Sequence, residues 1–133
     1  MLKNFVNMLA EAGLGIVGKT LFAAEMPAEC DRGVLVRYPL DGVAIDPELP
    51  GYHRFDLEVI VRAKTVEDGD MLANQVMSVF HFDERKDVVD LGSGTVKFTI
   101  NYMKPRTLPR IFPRMEGNGR EWSFSVNTCT VKS

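Results

Sequence analysis

Arg54-Phe55-Asp56-Leu57-Glu58-Val59-Ile60-Val61-Arg62 decides the fold of this chain. Phe55, Leu57, Val59 and Val61 fall on one side of an extended backbone and Arg54, Asp56, Glu58 and Arg62 on the other, because successive strand side chains point to opposite faces. A strand of this kind belongs to a sheet with one face buried and one face wet. Just downstream, Thr65 and Asp68 resemble a capping box with Asp in the usual Glu position. Leu72, Ala73, Val76, Val79 and Phe80 then recur at spacings of three and four, which predicts a helix over 66–81.

Working outward towards the N-terminus, turn residues crowd at Pro39, Asp41-Gly42, Asp46-Pro47 and Pro50-Gly51. Before them Val34, Val36 and Tyr38 alternate with Leu35 and Arg37 as in a strand. Leu2, Phe5, Val6 and Leu9 predict an amphipathic helix over 2–12, with Gly13 as its left-handed stop. A glycine-broken connection then leads to a short extended piece, Leu21-Phe22-Ala23-Ala24. Towards the C-terminus, Val96, Phe98, Ile100 and Tyr102 alternate with Thr95, Lys97, Thr99 and Asn101. Trp122, Phe124 and Val126 share a face in a final strand over 120–131. Between these strands, Pro105, Pro109 and Pro113 cannot donate to a central ladder, so 104–119 reads as an arm or edge segment. The order predicts an α+β fold, with two helices packed on a mostly antiparallel sheet of about four to six strands.

At 133 residues and 45% hydrophobic, 26% charged composition, the chain is sized for one core and one domain, 1–133. No apolar run approaches the roughly 18 residues of a membrane-spanning helix. Asn4, Asn7 and Glu11 interrupt the first apolar positions, unlike a secretory signal, so no export is expected. Cys30 and Cys129 match no metal or redox spacing, and two reduced thiols in a cytosol are expected.

The net charge of -2 hides an asymmetry. Residues 1–103 hold 10 Lys and Arg against 16 Asp and Glu, whereas residues 104–120 hold 5 against 1. A pI near 5.7 with a single short basic segment argues against a duplex-binding protein, and no sequence-specific nucleic-acid partner is expected.

Gly13-Leu14-Gly15-Ile16-Val17-Gly18-Lys19-Thr20 satisfies both G-x-G-x-x-G and the phosphate-loop pattern G-x-x-x-x-G-K-[ST]. A phosphate loop needs a buried strand before the glycines and a helix after them. Here a helix precedes, and the following piece runs only to Pro27. The plainer reading is a helix stop followed by an exposed turn. His53 and His81 stand alone, with no ligand-spaced cluster around them. Asp56 and Glu58 share a strand face with Arg54 and Arg62, which fits a solvated face better than a catalytic carboxylate pair. No nucleophile comes with a base, so catalytic, metal and cofactor sites have no support.

The segment Pro105 to Trp122 stands above this background. Arg106, Arg110 and Arg114 are spaced four apart, proline keeps the backbone extended, and Ile111 and Phe112 supply apolar anchors. This composition suits a docking arm for an acidic partner, with Arg106, Arg110, Phe112 and Arg114 as its contact residues. The plainer alternative is a loop packed on its own sheet.

The chain as a whole resembles bacteriophage tail terminator proteins of the minor capsid protein type. The resemblance rests on Glu11-Ala12-Gly13-Leu14-Gly15, on Leu21-Phe22 before Met26-Pro27, and on Ile45-Asp46-Pro47-Glu48-Leu49-Pro50-Gly51-Tyr52. It continues through Val61-Arg62-Ala63-Lys64 into Asp68-Gly69 and Leu72-Ala73, then Phe112-Pro113-Arg114, Gly117-Asn118-Gly119 and Glu121-Trp122-Ser123. Lys19-Thr20 departs from the family pattern, which keeps a nucleotide-binding alternative open. The resemblance implies a hexameric ring of this chain at the head-proximal end of the virion tail, assembled in the host cytoplasm. Such a ring halts growth of the tail tube and offers a surface for head joining. Its implied partners are further copies of the chain, the tail tube protein and a head-tail connector protein. No membrane and no cofactor are implied. A stopper or tail-completion protein is the second alternative, and normal-length headless tails in its absence would mark it.

Overall fold

The computed structural model describes residues 2–27, 29–45, 47–49, 51–89, 96–113 and 119–132. The elements run α1 (Leu2–Glu11), β1 (Leu21–Ala23), β2 (Gly33–Arg37), β3 (Tyr52–Ala63), α2 (Val66–Val79), β4 (Lys86–Val89), β5 (Val96–Pro105), β6 (Arg110–Pro113) and β7 (Arg120–Lys132). Two helices and one mixed sheet make an α+β fold. The sheet has seven strands in the order β1-β2-β3-β7-β5-β4, with β6 pairing β7 off that path. Among the described strands β1 and β2 run parallel, and the other strand pairings are antiparallel.

The spine of the sheet is the β3–β7 ladder, in register from Tyr52↔Val131 to Ala63↔Arg120. The alternation in β3 is realised: Phe55, Leu57, Val59, Val61 and Ala63 are buried. Opposite them on the same face stand Val126, Phe124 and Trp122, partners of Leu57, Val59 and Val61. Phe5 and Leu9 of α1 and Leu72, Ala73 and Val76 of α2 complete this core. Phe5 meets Phe80 and Phe98 edge-on, at ring-centroid distances of 6.3 and 6.2 Å, the geometry that aromatic quadrupoles favour.

Both helices begin or end on recognisable signals. Thr65 caps α2, its hydroxyl accepting from the Asp68 N–H at 3.2 Å. The C-terminus of α1 closes as a Schellman motif on Gly13, whose φ is +79°. The Leu14 N–H reaches the Leu9 carbonyl at 3.1 Å and the Gly13 N–H the Ala10 carbonyl at 3.0 Å. No helix among the described residues is long and apolar enough to cross a membrane.

Three features differ from the sequence expectation. The sheet has seven strands where four to six are expected, because β4 and β6 are each 4 residues long. β4 lies in a charged stretch without strand alternation and owes its conformation to pairing with β5. In β5, Tyr102 is expected to share the face of Phe98 and Ile100. A register shift between Ile100 and Tyr102 interrupts the alternation, so Met103 is fully buried and Tyr102 is not. A bulge of this kind sends every later side chain to the other face.

Candidate assembly interface

β5 and β6 share one flank of β7. β5 pairs with its C-terminal half, from Phe98↔Lys132 to Pro105↔Val126. After a connection through 106–109, β6 resumes the ladder from Arg110↔Ser123 to Pro113↔Arg120. The prolines explain the break: Pro105 and Pro109 lack the N–H that an uninterrupted ladder would require. Residues 110–113 are therefore an edge strand paired with β7, as the edge-segment expectation has it for this part of 104–119.

Within this segment the structure separates the predicted contact residues. The Arg106 N–H is bound to the Ser125 carbonyl at 2.8 Å. Its guanidinium donates to Asp56 Oδ2 at 2.7 Å, and Asn127 Nδ2 donates to the other carboxylate oxygen at 3.2 Å. Arg106 thus finds an acidic partner on its own sheet, which the sequence reading missed because Asp56 lies 50 residues away. Arg110 is exposed and makes no ion pair among the described residues. Phe112 occupies a β6 position in register with Glu121; its side chain, like the whole of Arg114, lies outside what the structure describes. Ile111 is 47% exposed and Leu108 80%.

On the sheet face away from the core, charged side chains pair across strands. Arg37 bonds Glu58 at 2.7 Å, and Arg62 bonds Glu121 at 3.0 Å. Asp56 and Glu58 each hold an arginine and are not arranged as an acid/base couple. His53 sits 3.3 Å from the Ala44 carbonyl through Nδ1. Among the described residues no group of three His, Cys, Asp or Glu could hold a metal ion. Cys30 and Cys129 are both free thiols.

The segment 13–20 is folded against itself. The Ile16 carbonyl accepts from the N–H groups of Lys19, Thr20 and Leu21 at 3.1, 2.9 and 3.1 Å. The Ile16 N–H donates to the Thr20 hydroxyl at 2.9 Å, and the Gly18 N–H to the Leu21 carbonyl at 2.9 Å. These amides, which would wrap phosphate oxygens in a phosphate loop, are committed within the turn. A strand follows the turn where a phosphate loop has a helix.

A second exposed region was hidden by its turn residues. In the connection between β2 and β3, Leu40 is 91%, Ile45 79% and Leu49 53% exposed. Its acidic residues are Asp41, Asp46 and Glu48, with no Lys or Arg between 39 and 51. The available signal was the presence of large apolar residues among Pro, Gly and acids, where polar residues are usual.

Two exposed, apolar-studded segments of opposite charge, the β2–β3 connection and the stretch through β6, stand out on this α+β fold. The family model described as bacteriophage tail terminator protein matches residues 8–131, and the chain belongs to that family. No curated protein matches the chain in sequence.

Proposed function

We propose that this tail terminator closes as a hexameric ring on the last ring of the tail tube at its head-proximal end. There it stops tube polymerisation and supplies the surface to which the head joins. The observation that carries the reading is the family match across residues 8–131. A tube grows because each ring presents the same head-to-tail surface to the next, so growth stops when a cap matches that surface on one side and differs on the other. The partners are further copies of this chain, the tube protein and a connector on the head side.

In this reading the chain works by binding and not by catalysis. The self-bonded amides of 16–21 support that view, because they leave little with which to cradle a nucleotide phosphate. The acidic remainder of the chain suits a channel through which DNA must pass without adhering. Electron microscopy of particles assembled without the chain tests the reading: overlong tubes are expected. Headless tails of normal length would instead assign it to a connector, and normal infectious particles would remove it from tail assembly altogether.

A further inference from the structure

The side chains of α1 and α2 that reach the core belong to one side of the sheet, and strand register fixes what stands on the other. There Glu58 pairs with Arg37, Glu121 with Arg62, and Asp56 with Arg106, at 2.7, 3.0 and 2.7 Å. Each of these acids is neutralised by an arginine of the same face. Three further cations stand on it: Arg54 in register with Cys129, Lys104 with Asn127, and Arg110 with Ser123. All three are exposed, and none is in an ion pair among the described residues. One further acid, Asp87 at the β4 edge, accepts from the Thr99 hydroxyl at 2.7 Å. In a chain whose net charge is -2, this face is therefore positive.

The spacing of the cations selects the kind of ligand. From Lys104 to Arg110 is four residues along β7, about 14 Å, and Arg54 stands across β7, two strand spacings or about 10 Å from the β5 flank. No single carboxylate or free phosphate spans such distances, so the matching ligand is an extended polyanion. The side chains between the cations are of types that contact phosphate and sugar: Ser123, Ser125 and Asn127 on β7. Tyr52 accepts from Arg54 at 3.0 Å through its hydroxyl, and Lys104 Nζ lies 5.5 Å from the Tyr102 ring centroid. A protein partner would need large apolar anchors at the centre of the contact. Among the described residues, none of the exposed large apolar side chains occupies a strand position of this face, since Ile111 is in register with Trp122 and so belongs to the other. The acidic β2–β3 connection borders the face beside Tyr52 and Arg54, at the far end of β7 from Arg110. Segment 104–113 contains no acid.

We propose that this face of the sheet holds the sugar-phosphate backbone of duplex DNA through Arg54, Lys104 and Arg110, without reading sequence. Three contacts per chain are few and salt screens them, so the face guides DNA past it and does not anchor it. The inference rests on the ring reading above for where DNA is met, because a ring presents the face once per copy around its channel. The binding itself is a property of the chain.

The test is fluorescence anisotropy of a short fluorescein-labelled duplex of mixed sequence, titrated with the purified chain. Three phosphate contacts give a double-logarithmic salt slope of about -2.7, which is roughly a 40-fold loss of affinity between about 50 and 200 mM salt. An Arg54→Gln, Lys104→Gln, Arg110→Gln variant should lose at least about tenfold at the lower salt. A Lys3→Gln, Lys19→Gln, Arg85→Gln variant removes the same charge from α1, the 13–20 turn and the stretch before β4, and should bind as the parent does. All six side chains are exposed, so both variants should melt with the parent. If the first does not, Arg110→Gln alone should still reduce the steepness of the slope by about 0.9. Equal losses in the two variants, or no binding by the parent at the lower salt, would overturn the proposal. Unchanged binding by the first variant would overturn it too, and if that variant then failed to cap tubes, the face would belong to an acidic protein surface. Failure of the ring reading looks different: a chain that binds DNA through these residues, while tubes formed without it keep their normal length, would leave this inference standing.

Discussion

Trp122 is fully buried, and its indole N–H donates to Asp70 Oδ1 at 2.7 Å. Trp122→Ala should cost about 3 to 5 kcal/mol, because it empties a large site between β7 and α2; chemical denaturation of the purified variant measures this, and an unchanged stability would contradict the packing. The neighbouring Gly69 lies directly against the indole, since a Cβ there would overlap the Trp122 ring at Cη2. Gly69→Ala should therefore be destabilising even though alanine favours helix, and an increase in melting temperature would show that the helix is free to move away. The face of Trp122 was legible from its spacing to Phe124 and Val126. Its partner was not, because Asp70 lies 52 residues away and nothing in a local pattern links them. A third residue-scale prediction concerns acid. Arg32 bonds Asp68 at 2.8 Å and holds its carboxyl below the usual carboxylate range. A depressed folded pKa gives stability that is present above the unfolded value, about 3.9, and is lost as pH falls towards the lower folded value. With side chains 46% and 31% exposed, the pair contributes no more than about 1 kcal/mol. Asp68→Asn should remove that small contribution at neutral pH and flatten the acid limb of the stability curve, measured by thermal unfolding between neutral pH and pH 3.

At the scale of elements, the long strands and both helices were legible because each carries its own period. β3 alternates over most of its length, and α2 combines a capping Thr65 with apolar residues three and four apart. β4 and β6 were not, because strands of 4 residues have too little pattern to declare themselves and are held by their neighbours. The bulge after Ile100 was equally silent, since a register shift depends on the partner strand. For the candidate site, the basic segment was visible in the charge distribution, but the division of labour within it was not. Arg106 is tied to Asp56 while Arg110 is exposed without an ion pair among the described residues. Arg106→Ser should lower stability by up to about 1 kcal/mol, as expected for a half-exposed ion pair. Arg110→Ser should leave the melting temperature unchanged and weaken assembly, more so at raised salt; differential scanning fluorimetry and counts of capped tails by negative stain separate the two. The turn at 16–21 supplies a further contrast. Lys19→Ala should leave both folding and tail assembly intact, and micromolar ATP binding abolished by that substitution would contradict the turn's self-bonded geometry.

At the scale of the whole molecule, the sheet is a partition. Its core side carries the helices and an open groove beside α2, and its other side carries cross-strand ion pairs, Arg106 with Asp56 among them. Family membership across residues 8–131 places such a molecule in the phage tail. The segregation of charge was legible in the sequence as a basic stretch within an acidic chain. Its spatial meaning was not, because only the strand register shows that Arg106 reaches Asp56 on the face away from the core. If the chain ends tube growth as proposed, adding it in purified form to tube protein polymerising from an initiating complex will change tube length against time, measured by electron microscopy. Elongation should stop soon after addition, with the chain found only at the growing end. Tubes that continue to lengthen at the unperturbed rate, with the chain bound at their ends or absent from them, would contradict it.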